Sequence, residues 1–385
     1  MYNFNFCCPT RVIFGKGSIA ELPKYIDKNK KVLMIYGGGS IKRNGVYDQV
    51  KKALEGYNLY EFGGIEPNPK YETCMKAVEL IKREGIEFLL AVGGGSTLDG
   101  TKFIAAASKY EGEDAYNDIV VNGIEIKEAL PLADVITLPA TGSEMNSGAV
   151  ISRLSTDEKL PFNSEKVFPQ FSIIDPEVTY SLPLRQTLNG IVDTFVHVME
   201  QYCTYDVNTP LQDDWAIGIM RTLIKEAPKV LANPTDYDTR ANIFWCATCG
   251  LNNWISQGVA QDWATHMIGH ELTAFYGIDH GQSLAIVEPR LLKNQKVTKS
   301  KKLAKLAREL FGFNESVDLK AADLAIDAIE KFYNSIGVKT RLADYEIDAQ
   351  EAAERIRDRF KARNTHLGEK GAVDADATYE ILRNC

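Results

Sequence analysis

EFLLAVGGGS, residues 87–96, runs from an apolar, β-rich stretch straight into three glycines and a serine. Upstream, KVLMIYGGGS (31–40) does the same. A helix-like segment follows each. Glycine lets the backbone turn tightly and approach a ligand closely. A helix N-terminus beyond such a turn presents free N–H groups and a positive dipole end, for which phosphate is the usual guest. One GGGS is explained by a tight turn alone. Two, at the C-terminal ends of strands in one sheet, point to a ligand, because open α/β folds bind ligands there. The spacing is not GxGxxG with an acid about 20 residues on, so the standard Rossmann fingerprint is absent. A third stretch, LPATGSEMNSGA (138–149), also follows an apolar run and is rich in small and hydroxyl residues. It suits a backbone-and-hydroxyl cradle for phosphate and ribose.

Outward from these turns, RVIF (11–14), DVITL (134–138) and FSII (171–174) read as further strands, separated by amphipathic segments such as YETCMKAVELIKREG (71–85). Near-continuous apolar strands alternating with helices predict a mainly parallel sheet covered on both faces. After TYSLPLRQ (179–186) the rhythm becomes helical almost to the C-terminus. The expectation is an α/β dinucleotide-binding domain over 1–180 and an all-α domain over 181–385. A chain of 385 residues makes two domains the default.

Hydrophobic residues make up 45% and charged residues 25%, ordinary values for a soluble globular chain. A net charge of -8 argues against a nucleic-acid or anionic-membrane partner. No apolar run approaches the roughly 20 residues of a membrane span, and MYNFNFCCPTRVIF lacks the pattern of an export signal. Seven cysteines at irregular spacing do not read as a disulfide framework. Cys246 and Cys249 form a CxxC inside a helical apolar stretch, where core packing is the better reading. A cytoplasmic location is expected.

The chain has only five histidines, and THMIGHELTAFYGIDHG (265–281) holds three of them. His266 and His270 are four apart and share a helix face. Asp193 and His197, in GIVDTFVHVMEQY, repeat that spacing. One such pair would read as packed core histidines. Four of five histidines in one region, with an aspartate in an otherwise apolar helix, read as a divalent metal site. Nitrogen and oxygen donors without thiolate fit Fe²⁺, Zn²⁺, Mn²⁺ or Ni²⁺. Five candidates exceed what a catalytic site with an open position uses, which leaves one histidine for a proton-transfer role.

These stretches, together with PTRVIFGKG (9–17), FGGIEPNP (62–69) and TLPATGSEMNSGAVI (137–151), resemble the iron-containing alcohol dehydrogenase family, most closely its butanol dehydrogenase and aldehyde reductase branch. The resemblance covers nearly the whole chain. It implies one divalent metal, Fe²⁺ or Zn²⁺, on Asp193, His197, His266 and His280. It places His270 beside the nicotinamide without making it a regular ligand, and Asp99 and His270 are expected at the reacting centre. It also implies that Gly94, Gly95, Ser96 and Asp99 line the pyrophosphate and nicotinamide side, followed by Thr137, Thr141 and Ser143, with Lys159 and Tyr180 approaching the cofactor. The implied activity is interconversion of short- to medium-chain aldehydes and primary alcohols, with the carbonyl polarised by the metal and hydride taken from NAD(P)H. A homodimer is expected.

NAD-preferring relatives carry an aspartate in the turn after the first long strand. Here that turn is GGGSIKRN (37–44), with no acid. Gly37, Gly38 and Ser40 leave room and donors for a 2′-phosphate, and Lys42 and Arg43 add charge, so NADP(H) is expected ahead of NAD(H). Two alternatives stand beside this reading. A synthase or lyase of the same fold would want a basic cluster near the metal, which the 265–281 segment lacks. A metallohydrolase would leave the twin GGGS turns unexplained.

Overall fold

The structure, a computed structural model, describes the whole chain from Met1 to Cys385. It comprises two compact units. One holds Cys7–Pro183 and Pro234–Thr248; the other holds Met1–Phe6, Leu184–Asn233 and Cys249–Cys385. A single cut near 180 therefore misses two excursions. Residues 1–6 join the helical unit, where Tyr2 N–H donates to Gly258 O at 2.9 Å. Residues 234–248 join the α/β unit, where Phe244 is part of the sheet's core.

Eight strands lie in the α/β unit: β1 (Arg11–Phe14), β2 (Lys31–Tyr36), β3 (Asn58–Gly63), β4 (Phe88–Gly93), β5 (Leu132–Ile136), β6 (Gly148–Arg153), β7 (Glu158–Asn163) and β8 (Phe171–Ile174). Six form one parallel sheet in the order β1-β8-β5-β4-β2-β3. Its four central strands, β8, β5, β4 and β2, are buried on both faces, and the side-chain period of two explains how. Leu33, Ile35, Leu89 and Ala91 pack to one side with Cys74, Val78, Leu98 and Phe103. Val32, Met34, Phe88, Leu90 and Val92 pack to the other with Ile41, Val46 and Val50. The helices supplying those covers are α1 (Ser40–Arg43) and α2 (Val46–Ala53) on one face, α3 (Tyr71–Glu84) and α4 (Gly95–Ala107) on the other.

Three strands were not evident from sequence. NLYEFG (β3) is an edge strand, mostly half-exposed, with no long apolar run. β6 and β7 form a separate antiparallel hairpin, and β7 contains Pro161 and Lys159, residues depleted in strands.

The helical unit follows: α5 (Leu184–Tyr202), α6 (Pro210–Ala232), then, after α7 (Tyr237–Gly250), α8 (Ala264–Tyr276), α9 (His280–Asn294), α10 (Lys296–Glu309), α11 (Asp318–Ser335), α12 (Ala349–Arg363) and α13 (Ala375–Leu382). α8, α9, α12 and α13 share a core of Ala264, Ile268, Leu272, Ile286, Val287, Ile356 and Phe360. No helix is long and apolar enough to cross a membrane.

Candidate metal centre and dinucleotide cradle

In the helical unit, α5 presents Asp193, His197 and Glu200 at i, i+4 and i+7, one face of a helix. α8 presents His266 and His270, and His280 is the first residue of α9. Glycines set how closely these helices meet. A Cβ on Gly281 would lie 2.5 Å from Asn189 O of α5, and one on Gly269 would lie 3.0 Å from Leu284 and Ser283 of α9. The α9 start is held further by Asp279, whose Oδ2 accepts from Asn189 Nδ2 at 2.7 Å and pairs with Arg185 at 3.1 Å.

Three imidazole nitrogens converge on one carboxylate oxygen. His266 Nε2 is 3.4 Å, His197 Nε2 3.5 Å and His280 Nε2 3.6 Å from Asp193 Oδ1. Donors about 2.1 Å from one tetrahedral ion stand roughly 3.4 Å apart, so these separations fit a single divalent cation. Donor atoms of Asp193, His266 and His280 lie within 4.8 Å of one another. His197 reaches that trio through Asp193 and by stacking on His266, ring centroids 4.5 Å apart and planes 17° apart. His270, also buried, stands beside them, its ring 5.2 Å from that of His280 and 6.2 Å from that of His266. The donors are nitrogen and oxygen only, which suits Fe²⁺ or Zn²⁺ and not a thiolate-bound structural zinc.

Glu200 was not singled out from sequence. It is buried, and its Oε2 meets His266 Nδ1. Burial opposes a charge on His266, but Glu200 and Asp193 outweigh it and hold the imidazole up at about 9. The signal was its place one turn beyond His197; nothing local separates it from a solvated glutamate.

In the α/β unit the chain leaves β2 toward β3 on one side, then returns to β4 on the other, so the strand order reverses between β2 and β4. Ligands bind at such switch points, beyond the carboxyl ends of the strands. The two GGGS turns sit there side by side, with Tyr36 paired to Val92. A Cβ on Gly37 would meet Ile65 O at 3.2 Å; on Gly93, Thr97 Oγ1 at 2.5 Å; on Gly95, Thr141 Oγ1 at 2.3 Å. Gly38 has open space instead.

Asp99, Thr141 and Ser143 are brought together around the α4 start. Asp99 Oδ1 accepts from Ser143 Oγ at 2.7 Å and Oδ2 from Val150 N at 2.9 Å. Thr141 Oγ1 accepts from Ser143 N at 3.3 Å. Thr137 N donates to Gly93 O at 2.8 Å, and Ser96 Oγ accepts from Asn68 N at 3.3 Å. Burial raises the Asp99 carboxyl, against the pull of Lys102 and, more weakly, of Lys159. Both Asp99 oxygens are engaged within the unit, so its geometry is that of a brace for the Ser143 loop. Lys102, also missed, completes that brace: fully buried, its Nζ donates to Ser143 O, Asn146 O and Gly148 O at 2.7 to 2.8 Å.

Tyr180 lines a cavity of about 230 Å³ with Gly17, Asn44, Gln49 and Asp175. Lys42 folds over the Tyr36 and Tyr47 rings, Nζ 5.0 and 4.9 Å from their centroids.

A doubly covered parallel sheet carrying a glycine cradle, with a helical unit carrying an Asp/His centre, defines a metal-dependent dehydrogenase. Residues 9–176 match the iron-containing alcohol dehydrogenase model and residues 187–384 match the C-terminal model of the Fe-containing alcohol dehydrogenase family. The chain is 50% identical to the NADPH-dependent aldehyde reductase YqhD of Escherichia coli K12, over 99% of both chains. It is 42% identical to the probable NADH-dependent butanol dehydrogenase 1 of Bacillus subtilis, over 100% of this chain and 99% of that one. The crystal structure of NADH-dependent butanol dehydrogenase A from Thermotoga maritima superposes with a TM-score of 0.94 at 36% identity, covering 100% of this chain and 98% of that one. The chain belongs to the iron-containing alcohol dehydrogenase family. Within it, the chain stands in the aldehyde reductase and butanol dehydrogenase branch and is a metal-dependent, NAD(P)-linked alcohol dehydrogenase.

Proposed function

We propose that this enzyme reduces short- to medium-chain aldehydes to primary alcohols with NADPH, and that Asp193, His197, His266 and His280 hold its divalent cation, Fe²⁺ or Zn²⁺. The observation that carries this is the convergence of three Nε2 atoms on Asp193 Oδ1 at 3.4 to 3.6 Å. When bound, the cation supplies Lewis-acid polarisation of a carbonyl oxygen and the dinucleotide supplies the hydride. The chain supplies the rest. α5, α8 and α9, locked at Gly281 and Gly269, fix the donor geometry before any ion arrives. His270, surplus to a four-donor site, passes the proton that the product oxygen requires. Gly37, Gly38, Ser40, Gly94, Gly95 and Ser96 bring backbone N–H groups to the dinucleotide phosphates. Asp99 and Lys102 hold Thr141 and Ser143 beside them, and Thr137, Lys159 and Tyr180 complete the cofactor's surroundings. NADPH preference is supported by the absence of an acid in residues 37–44 and by the named cofactor of the 50% identical reductase.

On this reading residues 1–180 carry chiefly the dinucleotide and residues 181–385 the metal. The enzyme works as a cytoplasmic homodimer on small-molecule substrates, without nucleic-acid or membrane partners. Neither the lyase nor the hydrolase alternative is favoured, since the named relatives are reductases and dehydrogenases. The test is an aldehyde panel with NADPH and NADH after metal reconstitution. Butanal-dependent NADPH oxidation is expected; none with any aldehyde or either cofactor would refute the proposal.

A further inference from the structure

The first N–H groups of a helix have no intrahelical partners, and a side chain usually caps them. At α8 the capping position is Trp263, which offers no side-chain acceptor. Asp262 Oδ1 takes Ala264 N–H at 2.9 Å, and the acceptor for the next two N–H groups comes from another helix. Glu200 of α5 takes Thr265 N–H at 2.6 Å and His266 N–H at 3.3 Å on Oε1, and meets His266 Nδ1 through Oε2. Its own carbonyl accepts from Asp262 N at 2.8 Å. One buried carboxylate thus holds both the backbone and the ring of the same histidine.

A carboxylate facing Nδ1 accepts a hydrogen bond from the N–H there, so the proton stays on Nδ1 and the lone pair is left on Nε2. That nitrogen is the one 3.4 Å from Asp193 Oδ1. We propose that Glu200 is a positioning residue: it fixes the tautomer and orientation of His266, and thereby ties α8 to α5, so that His266 Nε2 is presented as a metal donor. This rests on the metal-site reading above. Loss of an outer partner of a ligating histidine costs about 10- to 100-fold in metal affinity.

Glu200→Gln separates this from a capping role. The glutamine carbonyl still accepts from Thr265 and His266 N–H, but its NH₂ faces Nδ1 and favours the opposite tautomer, with the proton on Nε2. Zn²⁺ affinity of metal-free wild type and variant is measured by competition with a chromophoric chelator, alongside far-UV circular dichroism. The expected result is a Zn²⁺ Kd raised about 10- to 100-fold with an unchanged spectrum. A folded variant whose Kd stays within about twofold of wild type overturns the proposal. Should the variant not fold, ¹⁵N-histidine NMR of zinc-loaded wild type decides it: His266 is expected with Nε2 shifted by zinc and the proton on Nδ1, and the reverse assignment overturns it. Wild type that takes up no Zn²⁺ would instead refute the metal-site reading itself.

Discussion

The Nε2 of His280 lies 3.6 Å from Oδ1 of Asp193, although the two belong to different helices. The contact depends on Gly281, where any side chain would strike the backbone of Asn189. Removing one donor from such a cluster is expected to lose the ion. His280→Ala and His266→Ala should each lower bound metal from about one equivalent to under a tenth, with aldehyde reductase activity falling at least about 10³-fold. Metal analysis after gel filtration checks this; a full equivalent in the His280 variant would take that residue out of the donor set.

His270 is expected to behave differently. Its ring stands 5.2 Å from that of His280, and four other donors suffice. His270→Ala should keep its metal and lower kcat by about 10²-fold. Metal loss matching that of the His266 variant would make it a ligand.

The neighbouring GGGS turns should respond in opposite ways. A Cβ at Gly95 would lie 2.3 Å from Thr141 Oγ1, so Gly95→Ala should cost about 1 to 3 kcal/mol of stability and weaken NADPH binding. Gly38 has open space, so Gly38→Asp should leave the melting temperature unchanged. The new carboxylate should repel the 2′-phosphate and lower kcat/KM for NADPH about tenfold or more relative to NADH. A wild type that prefers NADH would sink that account.

Glu288 gives a pH dependence whose sign is fixed. It is fully buried, its Oε2 accepts from Tyr333 Oη, and burial outweighs that bond to hold the carboxyl at about 8 against an ordinary 4.5. The folded chain therefore keeps a proton that the unfolded chain releases, and stability is lost as pH rises from about 4.5 to 8. Glu288→Gln removes the titration while keeping the acceptor for Tyr333. The metal-free variant should gain about 4 kcal/mol relative to wild type between pH 5 and 9. Parallel denaturation curves at the two pH values would show the group does not titrate there.

Much of this was legible in the chain. The GGGS turns declared themselves because strand, glycines and helix are contiguous, and the His266/His270 and Asp193/His197 pairs because helical spacing is. What was not legible depends on packing. β3 and the β6–β7 hairpin lack the apolar runs of the central strands, and β7 carries a proline. Glu200 and Lys102 look like ordinary helix-surface charges; only the fold shows each buried, with Glu200 on the start of α8 and Lys102 on the Ser143 loop.

The most direct measurement is butanal-dependent oxidation of NADPH by chelator-stripped enzyme before and after adding one equivalent of Fe²⁺ or Zn²⁺. The account predicts no activity from the stripped protein and recovery on adding metal to wild type but not to the His280→Ala variant. Undiminished activity in wild type holding less than about 0.05 metal per chain would contradict it.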